Sequence, residues 1–192
     1  TLLHGVTGSG KTEIYCKLIQ EVLNVGKQVL FLLPEIALTT QIIQRLQLFF
    51  GDQISVFHSK YSMNERVEVW NNLLERKSKA QIILGARSSL LLPFTNLGLI
   101  VVDEEHETAY KEFDPAPRYN ARDAAIVLAK MHQAKLVLGS ATPAMESFFN
   151  AQNQKYGFVS LSRRFGNIQL PSIELIDLKE KHFFNSTLIP DR

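Results

Sequence analysis

Short apolar runs alternate with amphipathic stretches along most of the chain. A short, continuous apolar run is typical of a strand buried on both faces, whereas a period near 3.6 residues is typical of a helix. Their alternation indicates an α/β fold, with a mostly parallel sheet flanked by helices. The predicted strands are Thr1–Gly5, Gln28–Leu33, Ile54–His58, Ala80–Leu84, Leu99–Asp103 and Lys135–Gly139. The predicted helices are Lys11–Val25, Thr39–Phe50, Asn64–Arg76, Ala121–His132 and Ala144–Gln152.

Two segments depart from this alternation. Residues 107–120 are polar and contain two prolines, yet they also carry aromatic side chains, so we expect a loop there. After Gly157 the alternation fades. We therefore expect residues 1–165 to form one domain and residues 166–192 to form a connector. Within the connector, the extended stretch Ile173–Leu178 either pairs with a sheet edge or leads toward another domain.

Charge and cysteine content limit the classes of function. The chain has 21 Lys and Arg against 19 Asp and Glu, so the net charge is only +2 and any nucleic-acid contact must come from local patches. Its single cysteine, Cys16, excludes an internal disulfide and a cysteine-rich zinc site within the chain, and it fits a reducing cytoplasm. No apolar stretch approaches the roughly 20 residues of a membrane helix, so we expect no membrane partner.

A glycine-rich motif, GVTGSGKT, occupies Gly5–Thr12 between a predicted strand and a predicted helix. Glycines let the backbone turn tightly, so that its N–H groups can point at phosphate oxygens. Lys11 would reach the β- and γ-phosphates, and the Thr12 hydroxyl would join a magnesium shell. The motif therefore predicts that the chain binds a nucleoside triphosphate. Because Thr1 begins the strand that leads directly into this loop, we also expect the chain to be a fragment of a longer protein.

Two carboxylates, Asp103 and Glu104, directly follow the apolar run Leu99–Val102. In open parallel sheets, ligands bind at the carboxyl ends of the strands. Asp103 is suited to hold magnesium, mostly through water. Glu104 is suited to orient and deprotonate the water that attacks the γ-phosphate.

His106 and the loop Ser140–Thr142 each allow two interpretations. His106 either bridges the γ-phosphate side of the site to that loop by hydrogen bonds, or it is a loop histidine without a special role. Ser140 and Thr142 either sense the nucleotide, or they only cap the helix that starts near Pro143. The residues alone leave both alternatives open.

The motifs occur with others in a characteristic order. GVTGSGKT is followed by LPEIALT (Leu33–Thr39), FHS (Phe57–Ser59), GARSSL (Gly85–Leu90), DEEH (Asp103–His106), PRYNARD (Pro117–Asp123) and GSATPAMES (Gly139–Ser147). In this order they resemble the bacterial primosomal replication-restart DNA helicases, which belong to helicase superfamily two. The resemblance extends from Thr1 to about Asp177, and LPEIALT and PRYNARD make it specific.

This resemblance implies that residues 1–165 form the first RecA-like, ATP-binding lobe of a 3′-to-5′ DNA helicase, and that residues 166–192 lead toward a second lobe. Such an enzyme couples ATP hydrolysis to translocation on single-stranded DNA. It acts at stalled replication forks with single-strand-binding protein and primosome proteins, in the bacterial cytoplasm at the nucleoid. Its second lobe would supply an arginine finger and a cysteine-rich zinc-binding insertion, so we expect the isolated chain to be inactive or very weak.

The chemistry of the residues and the resemblance together predict roles for individual residues. Those expected to bind ATP are Gly5, Val6, Thr7, Gly8, Ser9, Gly10, Lys11 and Thr12. Those expected to serve hydrolysis are Lys11, Asp103, Glu104 and His106, with magnesium held by Thr12 and Asp103. Those expected to couple hydrolysis to motion are Ser140, Ala141 and Thr142. Those expected to contact DNA are Thr39, Arg87, Ser88, Tyr110, Phe113, Arg118 and Tyr119.

The chemistry of the expected DNA contacts agrees with these roles in part. Arg87 and Ser88 would offer a phosphate a charge and a hydroxyl without reading sequence, although a surface arginine and a helix cap would look the same. Aromatic side chains in residues 107–120 would stack on unpaired bases, or else pack onto the domain surface.

Other functions remain open at this point. One is a different superfamily-two translocase, such as a branch-migration or DNA-uptake motor. Another is a nucleotide-dependent clamp that binds DNA or protein without motor action. A small-molecule kinase of the phosphate-loop class is disfavoured, because it leaves GSAT and PRYNARD unexplained.

Overall fold

The computed structural model describes residues 1–35, 40–57, 61–75, 80–114 and 116–164. The strands are β1 (Leu2–Gly5), β2 (Gln28–Leu32), β3 (Ile54–Phe57), β4 (Ile82–Gly85), β5 (Leu97–Asp103), β6 (Lys135–Ser140) and β7 (Phe158–Leu161). The α-helices are α1 (Lys11–Asn24), α2 (Thr40–Phe50), α3 (Met63–Glu75), α4 (Ala121–His132) and α5 (Met145–Gln152). Short 3-10 turns cover Gly51–Gln53, Arg87–Leu91 and Thr108–Tyr110.

These strands form one parallel sheet in the order β3-β4-β2-β5-β6-β1-β7. The parallel direction brings the carboxyl ends of all the strands to one edge. In the register of the central strands, Asp103 lies beside Gly139 and His4 lies beside Ser140. The loops that follow β1, β5 and β6 therefore meet at the same edge, and the prediction of a mostly parallel α/β sheet is confirmed.

The core lies on both faces of the sheet. Successive residues of β5 alternate between two clusters, with Ile100 and Val102 on one face and Leu99 and Val101 on the other. The central strand β2 is buried along its whole length for the same reason. Burial on both faces explains why these strands appear in the sequence as continuous apolar runs.

Element ends differ from their predicted positions by at most two residues, and α4 matches at both ends. The exception is β7, which the sequence did not indicate and which pairs with β1 in parallel register. Because β7 is a short edge strand with mostly exposed side chains, its residues carry neither an apolar run nor a clear alternation. The expectation that the regular pattern ends at Gly157 is therefore wrong for residues 158–161.

Several predictions lie outside the described residues. These are His58 at the end of β3, Thr39 before α2, the connector 166–192, and the stretch Ile173–Leu178 within it. Among the described helices, none is both long and apolar enough to span a membrane.

Candidate nucleotide-binding and coupling site

The loop between β1 and α1 has the backbone that a phosphate-binding loop requires. Gly8 and Gly10 adopt φ angles of 77° and 92°, in the left-handed region that favours glycine. Gly10 immediately precedes α1, so the loop ends at the positive end of the helix dipole. Lys11 is only 8% exposed, and its Nζ donates a hydrogen bond to the carbonyl oxygen of Gly5 at 2.8 Å. The loop thus has the predicted backbone conformation, and the Lys11 ammonium lies against the loop backbone.

A cavity of about 730 Å³ opens above this loop. It is lined by Val6, Thr7, Gly8, Ser9, Gly10, Lys11, Thr12, Glu13, Arg45, Asp103 and Glu104. The volume is within the usual range for small-molecule sites. Ser9 Oγ is buried and has no hydrogen-bond partner among the described residues. Glycine backbone, Lys11 and the start of α1 all favour an anion here.

Arg45 is a lining residue that the sequence motifs did not indicate. It lies on α2 and forms an ion pair with Glu13 in the first turn of α1. The pair places a second cation beside the phosphate loop, together with a carboxylate that balances it. No motif in the sequence marks Arg45, because its position depends on how α2 packs beside α1.

Asp103 ends β5 beside the phosphate loop and is held by a tyrosine from α1. Tyr15 donates a hydrogen bond from its hydroxyl to Asp103 Oδ1 at 2.9 Å. Gly139 makes room for this contact, since a Cβ there would lie 1.7 Å from the Tyr15 hydroxyl oxygen. The Tyr15 ring is fully buried and packs edge-on against Phe31. Asp103 is therefore fixed in orientation by a residue that belongs to none of the recognised motifs.

The electrostatics of the two acids follow from burial. Burial raises the pKa of Asp103 above its ordinary value of 3.8, opposed by the Tyr15 hydrogen bond and by the charge of Lys11. Burial also raises the pKa of Glu104, and the charge of Asp103 acts in the same direction, opposed by Lys11 and His106. Glu104 has a φ of 49°, so its backbone turns sharply at the end of the strand. A carboxylate with a raised pKa is better suited to accept a proton from water.

His106 joins these acids to the loop after β6. Its Nδ1 lies 2.8 Å from Ser140 Oγ, and its Nε2 lies 3.3 Å from Thr142 Oγ1. The same imidazole lies 3.7 Å from a carboxylate oxygen of Glu104. Ser140 Oγ in turn accepts a hydrogen bond from the Thr142 backbone N–H at 3.0 Å. Of the two interpretations of His106, the geometry favours the bridge, and Ser140 belongs to that bridge.

The third acid of DEEH, Glu105, points the other way, into the protein. Its side chain is completely buried, where Oε1 accepts a hydrogen bond from the Ala144 N–H at 2.7 Å. Oε2 accepts one from Ser147 Oγ at 2.7 Å and lies 3.3 Å from Arg122 Nη1. No local pattern marks Glu105 as a buried acceptor, because its side-chain partners lie 17 to 42 positions away in the chain.

The expected DNA-contacting residues after β4 and β5 are connected to each other. Arg87 forms a bidentate ion pair with Glu112, with contacts of 2.8 and 2.9 Å. It also donates to the Ala109 carbonyl oxygen at 3.1 Å. Tyr119 donates from its hydroxyl to the Arg87 carbonyl oxygen at 3.4 Å. Arg87 thus holds the loop that follows Asp103 and Glu104, and its charge is paired with that of Glu112.

Phe113 and Arg118 lie at the exposed end of that loop. Phe113 is 62% exposed, and the Lys111 ammonium lies 5.0 Å from its ring centroid. Arg118 is exposed and Ser88 is partly exposed. An exposed aromatic ring beside cations is the combination that binds single-stranded nucleic acid.

Tyr110 is a correction to the sequence prediction. It was expected to contact DNA, but its ring is 1% exposed. Its hydroxyl donates to the carbonyl oxygens of Asp103 at 2.6 Å and of Leu32 at 3.1 Å. Tyr110 is therefore a core residue that ties the start of the loop to the ends of β2 and β5, and it presents no face to a base.

The donors fit a magnesium ion that arrives with a nucleotide. Thr12 and Asp103 both line the cavity, and among the described residues no group of three or more His, Cys, Asp or Glu could hold a metal by itself. This is the arrangement that magnesium accepts, because it keeps several waters and takes the remaining ligands from one or two protein groups and the phosphates.

A parallel sheet with a phosphate loop after β1 and paired acids after β5 defines a nucleoside-triphosphate-binding lobe. Residues 1–149 match the DEAD/DEAH box helicase family. The chain therefore belongs to the DEAD/DEAH box helicases, and the predicted membership in the superfamily-two helicases is confirmed.

Curated relatives carry the name replication restart protein PriA. The chain is 44% identical to that of Bacillus subtilis over 94% of its length, 50% identical to that of Rickettsia felis over 98%, and 47% identical to that of Haemophilus influenzae over 98%. It spans 22% to 29% of the length of these relatives. The predicted resemblance to the replication-restart helicases is thus confirmed across nearly the whole chain.

Solved structures agree on the fold. RecG bound to a three-way DNA junction superposes with a TM-score of 0.59 at 23% identity, covering 84% of this chain and 20% of RecG. The Hef helicase domain of Pyrococcus furiosus gives a TM-score of 0.57 at 22% identity, covering 85% of this chain and 34% of that one. Both likenesses concern the fold alone, which is that of a RecA-like helicase lobe.

Proposed function

We propose that this chain is the ATP-binding motor lobe of a 3′-to-5′ DNA helicase that acts at stalled replication forks in replication restart. The observation that carries the proposal is the continuous contact from Glu104 through His106 to Ser140 and Thr142. This contact links the acids that would serve hydrolysis to a second loop at the same sheet edge. The high identity to replication restart proteins supports the choice of process.

ATP binding would be the task of Gly5–Thr12. The backbone N–H groups of the loop and Lys11 would take the phosphates, and release of Lys11 Nζ from the Gly5 carbonyl would let it follow them. Thr12 and Asp103 would hold magnesium, which supplies charge neutralisation on the phosphate oxygens. The Tyr15 hydrogen bond would keep the Asp103 carboxylate facing the cavity.

Hydrolysis would depend on Glu104. Its carboxylate lines the same cavity as Lys11, and its raised pKa suits a group that orients water and takes its proton. His106 would report the state of this acid to Ser140, Ala141 and Thr142 through the two hydroxyl contacts. The proposed coupling of hydrolysis to motion runs through these residues.

Contact with DNA would occur at the loop 107–120 and at the turn after β4. Phe113 would stack on an unpaired base, while Arg118, Tyr119 and Ser88 would contact the strand around it. We also propose that single-strand-binding protein and primosome proteins are partners, in the bacterial cytoplasm at the nucleoid. A zinc-binding insertion and a second lobe with an arginine finger are expected in the full-length protein.

ATP turnover and strand separation by the full-length protein test this proposal. We expect turnover to rise on addition of forked or single-stranded DNA, and we expect unwinding only of substrates with a 3′ single-stranded tail. Glu104→Gln should abolish both activities and keep nucleotide binding. Unwinding from a 5′ tail would contradict the proposed polarity. If the unsubstituted protein shows no ATP turnover, and Glu104→Gln binds DNA as well as it does, the results would favour a nucleotide-dependent clamp.

A further inference from the structure

Glu105 belongs to DEEH, but its side chain is completely buried and does not line the cavity. Its two carboxylate oxygens receive the Ala144 N–H, the Ser147 hydroxyl and the Arg122 guanidinium. Its own backbone N–H donates to the Gly139 carbonyl oxygen at 3.0 Å. All the side-chain partners are donors, so both oxygens of the Glu105 side chain act as acceptors.

These partners belong to three different parts of the site. Gly139 precedes Ser140, and Ala144 and Ser147 stand at the start of α5, which follows the Ser140–Thr142 loop. Arg122 is in the first turn of α4 and is only 12% exposed. The Glu105 carboxylate therefore joins the start of α5 to α4, and the Glu105 backbone N–H joins the residue after Glu104 to the end of β6.

The α4 end of this arrangement is continuous with the loop that carries Phe113. Lys111 and Asn120 form an antiparallel bridge, and the Glu112 N–H donates to the Tyr119 carbonyl oxygen at 2.8 Å. The side chain of Asn120 then caps α4 by accepting from the Arg122 N–H at 2.9 Å. The loop is thus closed at its base directly before Arg122.

We propose that Glu105 is a positioning residue through which the loop 107–120 and α4 set the Ser140–Thr142 loop against His106. Since Glu105 and His106 are adjacent in the chain, a pull on the carboxylate from Arg122 changes the backbone on which His106 stands. The same pull acts on Ala144, four residues after Ser140. The proposal rests on the proposed function, in which DNA contacts the loop and ATP binds the cavity.

The test uses the full-length protein and three variants. Arg122→Gln removes the cation from Glu105, Arg122→Lys retains it, and Lys130→Gln is a control at an exposed position of the same helix. For each variant, kcat and KM for ATP are measured with and without single-stranded DNA, together with the melting temperature. Arg122 does not line the cavity, so a role in nucleotide binding is not expected.

We expect Arg122→Gln to lower the DNA-stimulated kcat about tenfold, within the range known for coupling residues, while KM for ATP and DNA-independent turnover change less than about twofold. Arg122→Lys should recover most of this loss, and Lys130→Gln should behave as the parent. Equal losses with and without DNA, or a DNA-stimulated kcat unchanged within about twofold, would overturn the proposal.

Two further results separate the possible failures. If DNA does not stimulate ATP turnover by the parent protein, the proposed function itself is contradicted. If DNA stimulates ATP turnover equally in the parent and in Arg122→Gln, only the role of Glu105 is contradicted. If Arg122→Gln does not fold, Ser147→Ala removes one hydroxyl from the same carboxylate and serves in its place. A DNA-stimulated kcat for Ser147→Ala equal to that of the parent would then overturn the proposal.

Discussion

Removal of one hydroxyl, in Tyr15→Phe, tests how Asp103, the carboxylate proposed to bind magnesium, is held. The Tyr15 side chain is fully buried, and its hydroxyl donates to Asp103 Oδ1 at 2.9 Å. Phenylalanine keeps the ring that packs against Phe31, so the substitution removes the hydrogen bond with little change in packing. The expected consequences are a less stable fold and a less well-oriented Asp103.

The magnitude follows from the type of hydrogen bond. A bond to an ionised group contributes about 1.5–3 kcal/mol. For a chain of 192 residues this corresponds to a fall in melting temperature of about 3–12 °C, at about 2–4 °C per kcal/mol. If all of that free energy serves to hold the carboxylate in its binding orientation, the magnesium concentration for half-maximal turnover rises by at most about 10- to 150-fold.

Tyr110→Phe provides a matched comparison. It also removes one buried hydroxyl near Asp103, but that hydroxyl donates to the carbonyl oxygens of Asp103 and Leu32 and not to the carboxylate. Thermal unfolding of the chain and magnesium titration of ATP turnover by the full-length protein are measured for both variants. Both should melt earlier than the parent, and only Tyr15→Phe should show a marked rise in the magnesium requirement.

Two results would refute this reasoning. If Tyr15→Phe and Tyr110→Phe raise the magnesium requirement equally, the effect comes from the strand backbone and not from the carboxylate contact. If Tyr15→Phe and the parent have the same melting temperature, the hydrogen bond from the Tyr15 hydroxyl does not stabilise the folded chain.

Three other predictions concern Asp103, Phe113 in the loop 107–120, and the isolated chain. Burial raises the pKa of Asp103, so the folded chain binds this proton more tightly than the unfolded chain, and stability falls as pH rises from 3.8 through the raised pKa. Asp103→Asn should therefore melt higher than the parent at neutral pH but not below pH 3.8, with the exposed Asp114→Asn as control in the same pH series. Phe113→Ala should uncouple ATP turnover from single-stranded DNA in the full-length protein, and unchanged DNA stimulation would remove the proposed stacking role. The isolated chain should bind nucleotide weakly and hydrolyse it negligibly, because an arginine finger contributes about 10³- to 10⁵-fold in rate, and rapid DNA-stimulated turnover by the chain alone would contradict this.

Residues that face the ligand could be predicted because their spacing is local. The phosphate loop needs glycines and a lysine within a few positions, between a strand and a helix. Asp103 and Glu104 are found at the end of an apolar run, and the parallel sheet then brings them to the loop. Even the His106 bridge could be proposed, since Ser140 and Thr142 follow a neighbouring strand. Each of these patterns lies within a few residues of sequence, and the parallel order of the strands then brings the patterns together at one edge of the sheet.

Residues that hold the ligand-facing groups in place could not be predicted. Tyr15 contacts Asp103 across 88 positions, Tyr110 contacts Leu32 across 78, and Ser147 contacts Glu105 across 42. In the sequence these are an apolar helix position, an aromatic residue in a loop, and an ordinary helix serine. The error over Tyr110 has this origin, because an aromatic beside polar residues is equally suited to stacking on DNA and to packing on β2 and β5.

The end of β5 is held from three directions by buried polar contacts. Tyr15 fixes the Asp103 side chain, Tyr110 fixes the Asp103 carbonyl, and Glu105 fixes the next turn of backbone. Buried polar groups of this kind are costly when any partner is missing, so they define one arrangement and resist intermediate ones. If DNA displaces the loop 107–120 as proposed, a strand end held in this way would carry the displacement to Glu104 and His106. The buried contacts that hold the end of β5 are therefore the physical basis on which the proposed DNA contact and the proposed hydrolysis would be coupled.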